Sequence, residues 1–399
     1  MSVTAAQGFS AAGISAGLKR SGKPDLALVV NDGPQHAVAA VFTSNRVVGA
    51  PVVWSRRCAQ NGTARAMILN SGSANVCTGP DGLQDSEDTA VAVAGELGLA
   101  APTDVLVAST GLIGVRLKRE KLLAGIPVVA AALATDSEAG AAAARAIMTT
   151  DTVAKTSVRT VTTSEGTFTV GGMAKGAGML APALATMLCV ITTDAVMPEG
   201  EEGAKRLDAS LRAATSTTFD RIDSDGCMST SDTVVLMASG ASGVHATAAD
   251  LDQAVHDVAA DLATQLLADA EGASHDIAIT VTGATTEDAA LAVARAVSRS
   301  ALVKTAVYGN DPNWGRILAQ VGTVPESVAP FDPAQLDVSV NGVMVCQAGG
   351  AHEKPDDVDM AANRLVTILI DLHAGNAEVT LWTNDLTHAY VEENSAYTT

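Results

Sequence analysis

Between Gly171 and Gly178 the chain places four glycines and one lysine, Lys175, in eight residues. A little further on, Ala185-Thr186 stands at the mouth of an apolar, β-branched run, Met187 to Ile191. Glycine at this density permits positive φ and close backbone approach, which reads as a loop and not as the interior of an element. The run after it reads as a buried strand. A small residue followed by Thr, after a glycine loop and before a strand, is where an enzyme with an N-terminal nucleophile would cut itself. Cleavage of the Ala185–Thr186 bond would free an α-amino group on Thr186, whose pKa in model peptides is about 7.7–8.0. That is near working pH, where a general base serves best. One cut would put the weak hydroxyl nucleophile and its base on the same residue. The same residues also fit a buried Thr that merely opens a strand, and spacing alone does not separate the two readings.

Other constellations carry less. At Ser109-Thr110-Gly111 a predicted strand, Val105 to Val107, meets a glycine that can expose backbone N–H groups and a Thr that adds a hydroxyl. This is the make-up of an oxyanion hole, and equally of an ordinary turn. Gly176-x-Gly178-x-x-Ala181 fits a dinucleotide fingerprint, with Asp194 where a ribose acid would stand, but Pro182 and the strand at Met187 leave no room for the helix that fingerprint opens. The phosphate-loop pattern fails at Ala177. Asp223-Ser224-Asp225-Gly226 starts like a calcium loop that Cys227 and Met228 break. The seven histidines include no H-e-x-x-H pair or zinc spacing, and His256 and His373 fall in predicted helices, so no metal is expected. No G-x-S-x-G elbow is present.

The stretch Lys175-Gly176-Ala177-Gly178-Met179-Leu180-Ala181-Pro182, continued by Ala185-Thr186-Met187-Leu188 and Thr192-Thr193-Asp194-Ala195, resembles the signature of the ornithine acetyltransferase family, also called glutamate N-acetyltransferase. The likeness extends to Asn70-Ser71-Gly72 with Ala74-Asn75, Ser109 to Gly114, Thr149-Thr150-Asp151-Thr152, Asp225-Gly226, Ser229-Thr230, Glu271-Gly272-Ala273, Asp311 to Arg316 and Asn394 to Thr399. It implies acetyl transfer from N2-acetylornithine to glutamate by double displacement through an ester on Thr186, in arginine biosynthesis, with no bound cofactor. Acetyl-coenzyme A as a further donor stays open. The resemblance assigns the oxyanion hole to Thr110 and Gly111. It assigns substrate contacts to Thr152, Lys175, Thr186, Glu271, Asn394 and Thr399. It implies an alpha chain, 1–185, and a beta chain, 186–399, that remain paired as a heterotetramer of two of each. Its fold is a layered one, related to self-processing aminopeptidases. The sequence departs from the family pattern at Ala177, Ala183 and Ser274-His275, and His275 puts substrate preference in question. Three other readings stay open: a self-processed amidohydrolase or aminopeptidase, an acetyltransferase of a related secondary pathway, and an unprocessed small-molecule binding protein.

Lys175 alone reads as a solvated lysine or as a cation for an amino-acid carboxylate. Glu271 reads as a surface acid or as a partner for a substrate ammonium. The elements that must position these residues belong to a chain of 399 residues, 47% hydrophobic and 17% charged, a globular composition with only 3% aromatics. A net charge of −19 argues against nucleic acid, whose phosphates need a basic face, and suits small-molecule substrates. Five scattered cysteines read as free thiols in a reducing compartment. No signal-peptide pattern and no membrane-length apolar run is seen, which points to the cytoplasm. Residues 25–32 and 36–44 read as a hairpin around Asp32-Gly33-Pro34, with 52–54 and 66–69 as further strands and the residues from Asn70 to Gly79 as a loop. Residues 156–162 and 167–170 form a second hairpin. Helices are expected at 84–98, 127–148, 200–214, 248–268, 286–299 and 357–374. Strands are expected at 233–237, 277–282, 302–307, 336–340 and 377–383. The alternation predicts an α+β or layered α/β sandwich.

Overall fold

The computed structural model describes residues 2–181, 187–352 and 357–396, so Ala185, Thr186 and Thr399 lie outside the described residues. Among the described residues the architecture is a layered α/β arrangement of three sheets. The first sheet has the order β1 (Phe9–Ile14), β2 (Leu26–Asn31), β4 (Ala66–Ser73), β5 (Val105–Leu112). The second has the order β3 (Ala37–Phe42), β9 (Thr233–Ala238), β8 (Leu188–Thr193), β7 (Gly166–Lys175), β6 (Lys155–Thr163). The third has the order β13 (Gly350–Ala351), β12 (Val343–Gln347), β11 (Asp337–Val340), β14 (Leu365–Asp371), β10 (Asp276–Ala284), β15 (Ala377–Asn384).

The helices are α1 (Ala50–Ala59), α2 (Gly79–Leu97), α3 (Arg119–Ala131), α4 (Ser137–Ala146), α5 (Glu201–Thr217), α6 (Ala248–Ala268), α7 (Glu287–Ser298), α8 (Ala301–Tyr308), α9 (Trp314–Val321) and α10 (His388–Ala396). β8 is buried on both faces, which is why its sequence is a continuous apolar run. Leu188 and Val190 share one core with the first sheet and α1 to α4, while Cys189 and Ile191 share another with α5 and α6. α6 is fixed at its start by the Thr247 side chain, which accepts from the Asp250 N–H. Its Leu251, Val255, Val258, Leu262 and Leu266 form the apolar stripe against the second sheet. The third sheet has its own core with α7, α8 and α9.

The 155–175 hairpin forms as expected, and α6 has the expected bounds. The first hairpin does not form: β2 and β3 diverge into different sheets. The turn chemistry at Asp32-Gly33 serves that divergence. Asn31 Nδ2 donates to Ala238 O at 2.9 Å, and Gln35 N donates to Ser239 O, so the turn is tied to the end of β9. Gly33 is needed there because a Cβ would lie 2.6 Å from Ser239. Residues 52–54 are helical, in α1, which begins with Pro51 in its first turn. The 70–79 stretch is a loop only in part, since β4 continues to Ser73. The 127–148 helix is two helices, the second opened by the Asp136 cap on Ala139 N. Residues 302–307 are not a strand but α8, capped by Ser300 on Val303 N. Residues 357–374 contain a strand, β14, with Val366, Ile368 and Ile370 buried and Leu365, Thr367 and Leu369 exposed between them. His373 therefore sits beyond a strand, paired to Asp337, while His256 is helical.

The glycine loop is also corrected. Gly171, Gly172 and Lys175 lie inside β7, and only from Gly176 does the chain leave the strand. A Cβ on Gly171 would meet Ser2 O at 2.3 Å, and one on Gly172 would meet Val258 and Leu262 of α6 at 2.9 and 3.0 Å. These glycines permit close approach across the sheet faces rather than a turn.

Candidate active site

β4 and β5 run parallel, with Ser71 opposite Thr110 and Gly72 opposite Gly111. Both glycines have positive φ, 116° and 123°, and a Cβ on Gly111 would sit 2.6 Å from the Gly72 carbonyl carbon. Two bare backbones thus face each other where the strands end. Ser109-Thr110-Gly111 lies within β5, so it is not an ordinary turn. Thr110 is buried, and its Oγ1 accepts from Lys175 Nζ at 3.2 Å. That bond brings the last residue of β7 against the end of β5.

Lys175 is itself buried. Burial lowers the pKa of its ammonium, opposed chiefly by the Asp151 charge. Asp151 is the hub beside it. Its Oδ1 accepts from Lys155 Nζ at 2.7 Å and from Gly176 N at 2.6 Å, and its Oδ2 accepts from Thr149 N at 2.9 Å. Burial pulls the Asp151 carboxyl up, but the charges of Lys175 and Lys155 and these hydrogen bonds outweigh it and hold it at about 2. Lys155 also donates to Asp269 at 2.6 Å. Asp269 in turn accepts from the backbone N–H and the hydroxyl of Thr152. Thr152 is thus placed beside this network with its side chain already engaged.

On the other side of the loop after Lys175, Glu271 N donates to Ala177 O at 3.0 Å. A Cβ on Gly178 would lie 2.5 Å from the Glu271 carboxylate, so glycine is what lets that carboxylate reach the loop. Glu271 Oε2 accepts from Asn394 Nδ2, on α10, at 3.0 Å. The geometry therefore brings Thr110, Gly111 and Lys175 together at one place, and Glu271 with Asn394 at the neighbouring part of the same loop. His275 is held away in a different pairing, its Nδ1 2.8 Å from Asp385 Oδ2.

Several site residues were not foreseen. Asp151 lies inside the quoted Thr149 to Thr152 stretch, but its partner Asp269 is far off in sequence and carries no local signal. Asp232 is fully buried and accepts from Met187 N at 3.0 Å, pinning the residue that follows Thr186. Burial pushes its carboxyl well above the ordinary range. Asp225 accepts from the N–H groups of Leu180 and Cys227 and so holds the far end of the loop. Among the described residues, no group of three or more His, Cys, Asp or Glu is arranged to hold a metal ion. No described helix is long and apolar enough to cross a membrane.

The model of the ArgJ family matches residues 10–399. The chain is 57% identical over 397 residues to the arginine biosynthesis bifunctional protein ArgJ of Streptomyces avermitilis, covering 100% of both chains. It is 55% identical over 399 residues to the protein of the same name from Bifidobacterium longum, again covering 100% of both. Among solved structures, the ornithine acetyltransferase of Mycobacterium tuberculosis, crystallised with ornithine, is 49% identical, with a TM-score of 0.44 over 47% of this chain and 96% of that one.

Proposed function

The chain belongs to the ArgJ family, and we propose that Thr186 carries the acetyl group between its two substrates. The protein is an acyltransferase of arginine biosynthesis that moves an acetyl group from N2-acetylornithine to glutamate. In the proposed course, the chain is cut before Thr186. The freed α-amino group of Thr186 takes the hydroxyl proton as Oγ1 attacks the acetyl carbonyl. Thr110 and Gly111 receive the oxyanion. The intermediate collapses, the amine of ornithine leaves with a proton, and an acetyl ester remains on Thr186. The amine of glutamate then attacks the ester carbonyl, the acyl C–O bond to Thr186 breaks, the Thr186 α-amino group takes the proton from the amine and returns one to Oγ1, and N-acetylglutamate leaves. Lys175 takes an amino-acid carboxylate, and Glu271, with Asn394, takes the ornithine ammonium. Thr152 and Thr399 complete the substrate contacts.

The observation that carries this reading is the 3.2 Å contact between Lys175 and Thr110. It ties the strand that leads to Thr186 to the pair proposed as the oxyanion hole. A buried lysine whose contact among the described residues is a hydroxyl, and whose neighbour Asp151 is engaged by Lys155, has donor capacity for an anionic substrate.

The two pieces, 1–185 and 186–399, would stay together. In the second sheet β3, β6 and β7 come from before the cut and β8 and β9 from after it. Separating them would expose the cores on both faces. We further propose that the paired chains assemble as a heterotetramer of two alpha and two beta, and that the enzyme works in the cytoplasm. The test is intact mass with an acetyl-transfer assay. Wild type should give two fragments cut before Thr186, and Thr186→Ala one inactive chain. Cleavage in Thr186→Ala would refute self-processing by that residue.

A further inference from the structure

A cavity of about 370 Å³ lies where the 224–226 loop, Glu271, the start of α8 and α10 meet, and its walls carry both signs of charge. On the acidic side Asp225 is occupied by the Leu180 and Cys227 N–H groups and Asp385 by Ser274 and His275, whereas Glu271 takes Asn394 Nδ2 on Oε2 and has no donor on Oε1 among the described residues, which leaves it as the acid that can turn to a ligand. On the basic side stands Lys304, only 7% exposed. Its Nζ donates to Ser224 O and, at 3.2 Å, to Thr383 Oγ1. An ammonium has three hydrogens to donate. The third meets no acceptor among the described residues. Burial lowers this ammonium to about 8, against the pull of Asp225 and Asp223. Beside it, the half-exposed Arg299 gives its Nε to Asp223 Oδ2 at 2.7 Å, and its terminal amino groups have no acceptor among the described residues.

A double displacement makes one site serve two amino acids in turn. The side chain of N2-acetylornithine ends in an ammonium and that of glutamate in a carboxylate. A purely acidic pocket would admit the first and repel the second. Resting on the acetyl-transfer reading above, we propose that Lys304, with Arg299 beside it, forms the subsite for the side-chain carboxylate of glutamate, in the same cavity where Glu271 takes the ammonium of ornithine. The carboxylate supplies the acceptor that the third Lys304 hydrogen lacks, in a site dry enough for a charge-assisted hydrogen bond to count.

The test is initial-rate kinetics on the cut, folded enzyme and on Lys304→Met and Arg299→Gln, varying glutamate and N2-acetylornithine separately, with L-glutamine as an uncharged acceptor of the same shape. Lys304→Met should raise KM for glutamate by about 10- to 100-fold, the loss of a hydrogen bond between charged groups, and raise KM for N2-acetylornithine far less. Wild type should prefer glutamate to glutamine, and Lys304→Met should lose that preference. Arg299→Gln should move both measures in the same direction by less. An unchanged KM for glutamate overturns the proposal. So do equal rises for both substrates, which would put Lys304 on the α-carboxylate they share. Should Lys304→Met fail to fold, the half-exposed Arg299→Gln decides by the same split. A wild-type protein that moves no acetyl group overturns the acetyl-transfer reading first, which separates the two failures.

Discussion

Two buried lysines stand side by side in the second sheet. Lys155 opens β6 opposite Ala174, and Lys175 closes β7 one residue further on. Both are removed from water, yet their surroundings differ. Lys155 meets two carboxylates, Asp151 at 2.7 Å and Asp269 at 2.6 Å. Lys175 meets a hydroxyl at 3.2 Å. A buried cation with matched anions in good geometry joins parts of the fold, here the 151–155 segment and the end of α6. A buried cation held short of its anions costs stability and is kept for something else. On the proposed function, the contrast sets a structural charge beside a binding charge within one strand pair.

The strongest way to break the contrast is Lys155→Met. It leaves the buried Asp269 without its cation and Asp151 without the one that hydrogen-bonds it, with only the Lys175 charge nearby, and should cost about 3–5 kcal/mol, read as a lowered denaturant midpoint. If that variant lost only activity, Lys155 and not Lys175 would be the binding charge. The next effect is in acid. The Asp151 carboxyl, at about 2, lies below its ordinary 3.8, so its contribution is present above 3.8 and is lost as pH falls toward 2. That contribution is about 2 kcal/mol. Denaturant titrations across that window should show the acid limb in wild type and its absence in Asp151→Asn. The smallest effect on stability is expected from Lys175→Met. Burial already disfavours the Lys175 ammonium, a penalty present below its lowered pKa and relieved as pH rises from there toward 10.5. Replacing it by a thioether of similar size should be neutral or slightly stabilising, within about 1 kcal/mol. KM should rise for both substrates, and the acid limb of Asp151 should move to higher pH because Lys175 helps depress that carboxyl. Unchanged kinetics in a folded, cut Lys175→Met would place the binding charge elsewhere.

Elements with a strong local period were legible. α6 repeats Leu and Val at helical spacing behind a Thr cap, and the β6–β7 hairpin alternates around Ser164-Glu165-Gly166. The misreadings have physical causes. Ala301 to Val307 is a short apolar run, for which periodicity alone does not choose between strand and helix. The Ser300 cap decided it. β14 was hidden because its solvent side carries Leu365 and Leu369, so the period of two is masked by apolar residues on both faces. Asp32-Gly33-Pro34 bends the chain between β2 and β3 but closes no hairpin, because where the bend sends its strands depends on Ala238 and Ser239, some two hundred residues away. For the site, residue types at Lys175, Thr110 and Glu271 were readable from the resemblance. The partners that fix their chemistry, Asp151 with Asp269 and Asp232 with Met187, are pairings across long separations that no local pattern announces.

The second sheet interleaves strands from both sides of position 186, with β7 beside β8 and β3 beside β9. In an uncut chain those strands find one another within a single molecule, a first-order event. In a cut molecule the same sheet is an assembly of two solutes, and melting hands them to dilution. Recovery then becomes second-order and depends on concentration. Such a protein builds its sheet once, before the cut, and afterwards lives on the slowness of its unfolding rather than on the ease of its return.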